Sequence, residues 1–172
     1  MEATSNWDGV TPGTARVKPP KGIYLWNVKS SEDVQGKIGE DGTKGNDAFR
    51  LTFEVDPVAC PDTPGNHTER FTYTNNGFTM KALMCCTGLP QPNLPKSWSP
   101  ERHMLNKQVV GVFVPEGGDK YKNKQNIEVK GDLFSLLFAS EVYEFAKKYG
   151  INVDALAPQI KVFVSKGDPG AN

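Results

Sequence analysis

Phe49-Arg50-Leu51-Thr52-Phe53-Glu54-Val55 carries apolar side chains at 49, 51, 53 and 55 and polar ones at 50, 52 and 54. That period of two belongs to a β-strand with one face in a core and the other in water. Upstream, Ile23-Tyr24-Leu25-Trp26-Asn27-Val28-Lys29 is rich in β-formers and leads into a polar, glycine-studded stretch, 30–45, read as a long loop. Downstream, prolines and a glycine make 57–66 a loop, and Arg70-Phe71-Thr72-Tyr73-Thr74 follows as a third short strand.

The period then changes. Met80, Leu83, Met84 and Thr87 recur at helical spacing over 78–87, with Asn76 placed to cap the helix and Gly88 to end it. Proline-rich 89–100 connects to two more strands, 109–114 and 127–129, on either side of a lysine-rich loop. The predicted order β-β-β-α-β-β makes the fold class mainly β, a five-stranded OB-type barrel. In that fold the helix lies between strands three and four, and the ligand groove crosses strands two and three. The groove-framing loops would be 30–45 and 115–126, both longer than a tight hairpin needs and both carrying lysines. Val142, Phe145, Ala146 and Tyr149 mark an added C-terminal amphipathic helix near 140–149, stopped by Gly150, and 160–164 has the composition of an edge strand. The expected organisation is a flexible arm at 1–20, a binding domain at 21–134, a helical extension on the barrel at 135–164, and a disordered tail at 165–172.

A 37% apolar and 23% charged composition is that of an ordinary globular chain, and 17 glycines with 13 prolines suit loop-rich β structure. The sequence has no apolar run of about 18 residues and its first ten residues lack the regions of a signal peptide, so a cytoplasmic protein without a membrane span is expected. Cys60, Cys85 and Cys86 have neither the number for full pairing nor the spacing of a metal site. They are expected as reduced thiols, and no cofactor or metal is expected. Twenty basic and twenty acidic residues give a formal net charge of +0, so any attraction to a polyanion must come from local segregation of charge. Arg16, Lys18, Lys21 and Lys29 do occur with no acid among them, and Lys120, Lys122 and Lys124 alternate through a short loop.

Several short pieces follow one another in a telling order. Pro20-Lys21-Gly22-Ile23-Tyr24 opens strand one, and Thr43-Lys44-Gly45-Asn46 precedes strand two. Then come Phe71-Thr72-Tyr73-Thr74-Asn75-Asn76, Met80-Lys81-Ala82-Leu83-Met84-Cys85 and Tyr121-Lys122-Asn123-Lys124-Gln125-Asn126. In this order, over roughly residues 7–134, the chain resembles a family of bacteriophage single-stranded DNA-binding proteins with an OB fold. The resemblance implies a non-enzymatic protein that coats exposed single-stranded DNA during phage replication or recombination in the host cytoplasm. Self-association along the DNA and contact with phage replication proteins are the partner classes it leaves open. The chain departs from cellular single-strand binders in ending Lys166-Gly167-Asp168-Pro169-Gly170-Ala171-Asn172, without an acidic tip.

A sequence-tolerant binder of single strands stacks bases on aromatic rings and draws phosphates to Lys and Arg. On that chemistry the candidate DNA-binding residues are Tyr121 with Lys120, Lys122 and Lys124 on one loop, and Arg50 and Thr52 on the wet face of strand two. Lys29 and Lys44 flank them, Arg70 and Tyr73 lie on strand three, and Trp26 lies on strand one. A shift of one residue in the register of strand three would exchange the faces of Arg70 and Tyr73, and Trp26 is either a stacking platform or a core residue. Asp62 with Glu128-Val129-Lys130 imitates pieces of a metal-dependent nuclease, but the pieces are common and far apart in sequence. His67 and His103 have no neighbouring triad pattern. The serious alternative is an OB-fold protein-interaction module of a replication or structural assembly, which zero net charge favours.

Overall fold

The computed structural model describes residues 17–62, 67–73 and 77–169, and within 67–73 chiefly the backbone. The protein is mainly β. Strand β1 (Gly22–Val34) pairs with β4 (Gln108–Val114) and β2 (Ala48–Val55), β2 pairs with β3 (His67–Tyr73), and β4 pairs with β7 (Leu133–Leu136). All four pairings are antiparallel and give the order β3-β2-β1-β4-β7. A separate ribbon joins β5 (Lys120–Lys122) to β6 (Glu128–Lys130).

β1 is the pivot. Its first half, Gly22 to Asn27, pairs with β4, and its second half, from Trp26 to Val34, pairs with β2. A bulge between Val28 and Ser30 leaves Lys29 without a register partner, and such an extra residue bends the strand and sharpens its twist. The sheet therefore curls into an antiparallel half-barrel. Phe53 of β2 and Phe134 of β7 meet across the inside with ring centroids 4.9 Å apart. Helix α1 (Gly77–Thr87) touches β3, β4 and β7.

Two apolar layers hold the sheet. Inside the curl lie Trp26, Val28, Phe49, Leu51, Phe53, Val55, Phe113, Phe134 and Leu136. Outside it, Ile23 and Leu25 of β1 and Val110 and Val112 of β4 pack under α3 (Val142–Tyr149) and α4 (Pro158–Lys166), chiefly through Val142, Ala146 and Ile160. Between α1 and β4 comes the short α2 (Pro100–His103), capped by the Ser99 side chain.

Four expectations need correction. The fifth strand of the sheet is Leu133–Leu136, whereas 127–129 belongs mostly to the small ribbon. Residues 160–164 are helical rather than an edge strand, because Pro158 opens a helix that buries Ile160 and half-buries Phe163 and Val164, three and four residues on. β1 continues through 30–34, part of the expected loop, because β2 offers it a ladder as far as Ala48. The buried face of α1 is Thr79, Ala82 and Leu83, while Met80 is exposed. Gly88 ends α1 with a φ of 70° and its N–H on the Met84 carbonyl, while the expected cap Asn76 lies outside the described residues. Among the described residues, no helix is long and apolar enough to cross a membrane.

Candidate nucleic-acid interface

Because β2 buries Phe49, Leu51, Phe53 and Val55, its alternation sends Arg50, Thr52 and Glu54 outward. Across the ladder Ser30 pairs with Thr52 and Glu32 with Arg50, and Arg50 Nη1 lies 3.2 Å from Glu32 Oε2. Lys29 is exposed at the bulge. On the other side, Phe71 occupies the register position opposite Arg50, Arg70 that opposite Leu51, and Tyr73 that opposite Ala48. The side chains of Arg70 and Tyr73 lie outside the described residues.

The stretch between β1 and β2 folds back on itself. Gly45 N–H donates to the Lys37 carbonyl at 2.7 Å, Gly39 N–H to that of Thr43 at 2.8 Å, and Ile38 bridges to Lys44. Gly36 has no room for a side chain, since an added Cβ would sit 1.9 Å from the Gly45 carbonyl oxygen. Asp47 accepts the Gly36 N–H at 2.9 Å and faces Lys44 Nζ at 3.5 Å. These two contacts, the Gly36 hydrogen bond first, hold its carboxyl below the ordinary value. Ile38 is left 75% exposed.

The β5–β6 ribbon sorts its side chains by face. Tyr121 pairs with Val129, while Lys120 pairs with Lys130 and Lys122 with Glu128 on the alternate positions. The ring of Tyr121 lies over Gly131, where an added Cβ would be 3.4 Å from Cε1, and remains 56% exposed. Asn123 shapes the turn by accepting the N–H groups of Gln125 and Ile127, each at 3.0 Å. Lys120 Nζ meets Glu128 Oε1 at 3.5 Å. At the ribbon's base, Asp132 accepts the Glu116 N–H at 3.0 Å and pairs with Lys18 at 2.6 Å. Burial pushes the Asp132 carboxyl up, but Lys18 and the Glu116 N–H outweigh it and hold the group below its ordinary value. Among the described residues, no hydrogen bond or ion pair joins this ribbon to β1 or β2.

Trp26 is not a stacking platform. It is fully buried, its Nε1–H donates to the Gly111 carbonyl at 3.1 Å, and its ring stands edge-on to Phe134 at 5.0 Å. Cys85 and Cys86 are half-buried on α1, and burial pushes both thiols up to about 12, so they stay protonated at neutral pH. Asp62 lines a cleft of ≈ 410 Å³ with Tyr24, Cys60 and Leu156, whereas Glu128 serves Lys120.

Sequence reasoning singled out the cations and missed their acidic counterparts Glu32, Asp47 and Glu128. Glu32 was hidden by the assignment of 30–45 to a loop; extending β1 by one ladder would have set it against Arg50. Among the described residues, Lys29, Lys122 and Lys124 form no ion pair, although Glu128 is the ladder neighbour of Lys122. The sequence matches no protein-family model and no curated protein sequence.

Proposed function

We propose that the protein is a non-enzymatic, sequence-tolerant binder of single-stranded DNA on an OB-type barrel. The observation that carries this reading is Tyr121, an aromatic ring seated on a glycine backbone, open to solvent, and carried by a ribbon with Lys120, Lys122 and Lys130 on its other face. A ring in that setting serves no core, and unpaired bases are the ligand whose flat faces it suits. Supporting features are the strand order around β1, the helix between β3 and β4, and the exposed Lys29, Lys44 and Arg50 beside Thr52. Bases would stack on Tyr121 while phosphates run along the ribbon edge to its lysines and to Lys124. Following the resemblance, the biological setting is phage DNA replication or recombination in the host cytoplasm.

The test is a titration with oligo-dT at two salt concentrations. Neutralising about four phosphates gives a log-log slope near −3 for a single strand, and Tyr121→Ala should cost about 1 to 3 kcal/mol of affinity. Equal affinity of Tyr121→Ala and wild type would remove the ribbon from the site. Zero net charge favours the second reading, a protein-interaction module; it predicts retention by a partner protein and no shift of labelled single-stranded DNA at low salt.

A further inference from the structure

Three cations of the candidate interface, Arg50, Lys44 and Lys120, are met by acids. Glu32 stands directly across the β1–β2 ladder from Arg50, with the ion pair at 3.2 Å. Asp47 follows Lys44 by three residues and faces it at 3.5 Å, while the Gly36 N–H anchors its carboxylate. Glu128 lies two ladder positions diagonally from Lys120 and meets it at 3.5 Å, although the residue directly opposite Lys120 is Lys130 and Glu128 itself stands opposite Lys122. All six side chains are exposed, so exposed ion pairs of this kind add little to folding. A strand phosphate arriving at any of these cations meets a carboxylate already there, whose negative charge opposes it.

We infer that Glu32, Asp47 and Glu128 are strand-selectivity residues, which hold electrostatic binding down so that only nucleic acid with exposed bases is retained. The inference rests on the single-strand reading above. A polyanion attracted by charge alone gains from every free cation, and duplex DNA gains most because its phosphates are denser. Stacking on Tyr121 is open to a single strand and closed to a duplex, whose bases face one another. Lowering the charge contribution common to both ligands leaves the contribution that distinguishes them. The formal net charge of +0, puzzling for a DNA binder, then has a use.

The experiment compares dissociation constants for oligo-dT and for a duplex of equal length, at low and moderate salt, in three proteins. These are wild type, the interface triple Glu32→Gln, Asp47→Asn, Glu128→Gln, and a control triple Glu101→Gln, Glu144→Gln, Asp154→Asn. The control removes the same charge from exposed carboxylates that face none of these cations. In the interface triple, both ligands should bind more tightly, the duplex slope should steepen by about 2.7 and the single-strand slope by about 2.1, and single-strand preference should fall about sixfold at roughly 50 mM salt. Glu32→Gln alone should carry about a third of that logarithmic change, which reads the idea without relying on the fold of the triple. An unchanged preference in the interface variants overturns the inference, and so does an equal change in the control triple, which would make net charge the only cause. Absence of oligo-dT binding by wild type is a different result and sinks the single-strand reading itself.

Discussion

At the scale of the residue, Trp26 and Phe49 to Val55 set the limits of what the sequence reveals. Along β2 only one face is buried, so the alternation is clean and Arg50 and Thr52 can be placed outward from sequence alone. Along the first half of β1 both faces are buried, Ile23 and Leu25 under the C-terminal helices and Trp26 and Val28 inside the curl. No alternation survives there, and nothing in the local sequence says which layer a tryptophan joins. The structure puts it in the core with its Nε1–H satisfied. Trp26→Ala should therefore cost about 3 to 5 kcal/mol in denaturant unfolding. Trp26→Phe should lower the melting temperature while leaving oligo-dT affinity unchanged, and a loss of affinity without loss of stability would restore the stacking role.

At the scale of the element, strands with a single buried face and the helix after β3 were legible, while short apolar runs were not. Ile127, Val129 and the run Leu133 to Leu137 all look like strand, and only the ladder with β4 selects Leu133–Leu136 for the main sheet. The ribbon also sorts Tyr121 from its flanking lysines, a separation that the loop-like composition of 115–126 does not reveal. Val162, Phe163 and Val164 are β-formers held in α4 because Ile160 anchors it to the outer layer, a tertiary contact that overrides local preference. The sign of one substitution separates helix from strand at this position. Val162 is 52% exposed, so Val162→Ala should stabilise the protein by about 0.5 kcal/mol through helix propensity. On an exposed edge strand the same change would destabilise, and a lowered urea midpoint would contradict the helix.

At the scale of the whole molecule, the half-barrel and the C-terminal helices share one apolar layer. The outer face of β1 and β4 presents Ile23, Leu25, Val110 and Val112, which among the described residues are covered chiefly by α3, α4 and the segments beside them, with Ala59 and Cys60 after β2 at the margin. Polar contacts fasten that cover: Lys81 of α1 reaches Glu141 at 2.7 Å and sits 4.9 Å over the Phe138 ring, and Asp168 accepts the Ser140 N–H at 2.9 Å. Removing residues 139–172 would bare a contiguous apolar face on a small sheet, the kind of patch that drives association. The full chain should therefore melt in a single transition seen alike by tryptophan fluorescence and far-ultraviolet circular dichroism. The chain ending at 138 should bind a hydrophobic dye, self-associate in gel filtration and lose the cooperative transition. A truncated protein that stays monomeric and melts at the wild-type temperature would mean that the inner layer alone carries the fold. The outer helices would then be free to act as a separate module, which would revive the protein-interaction reading.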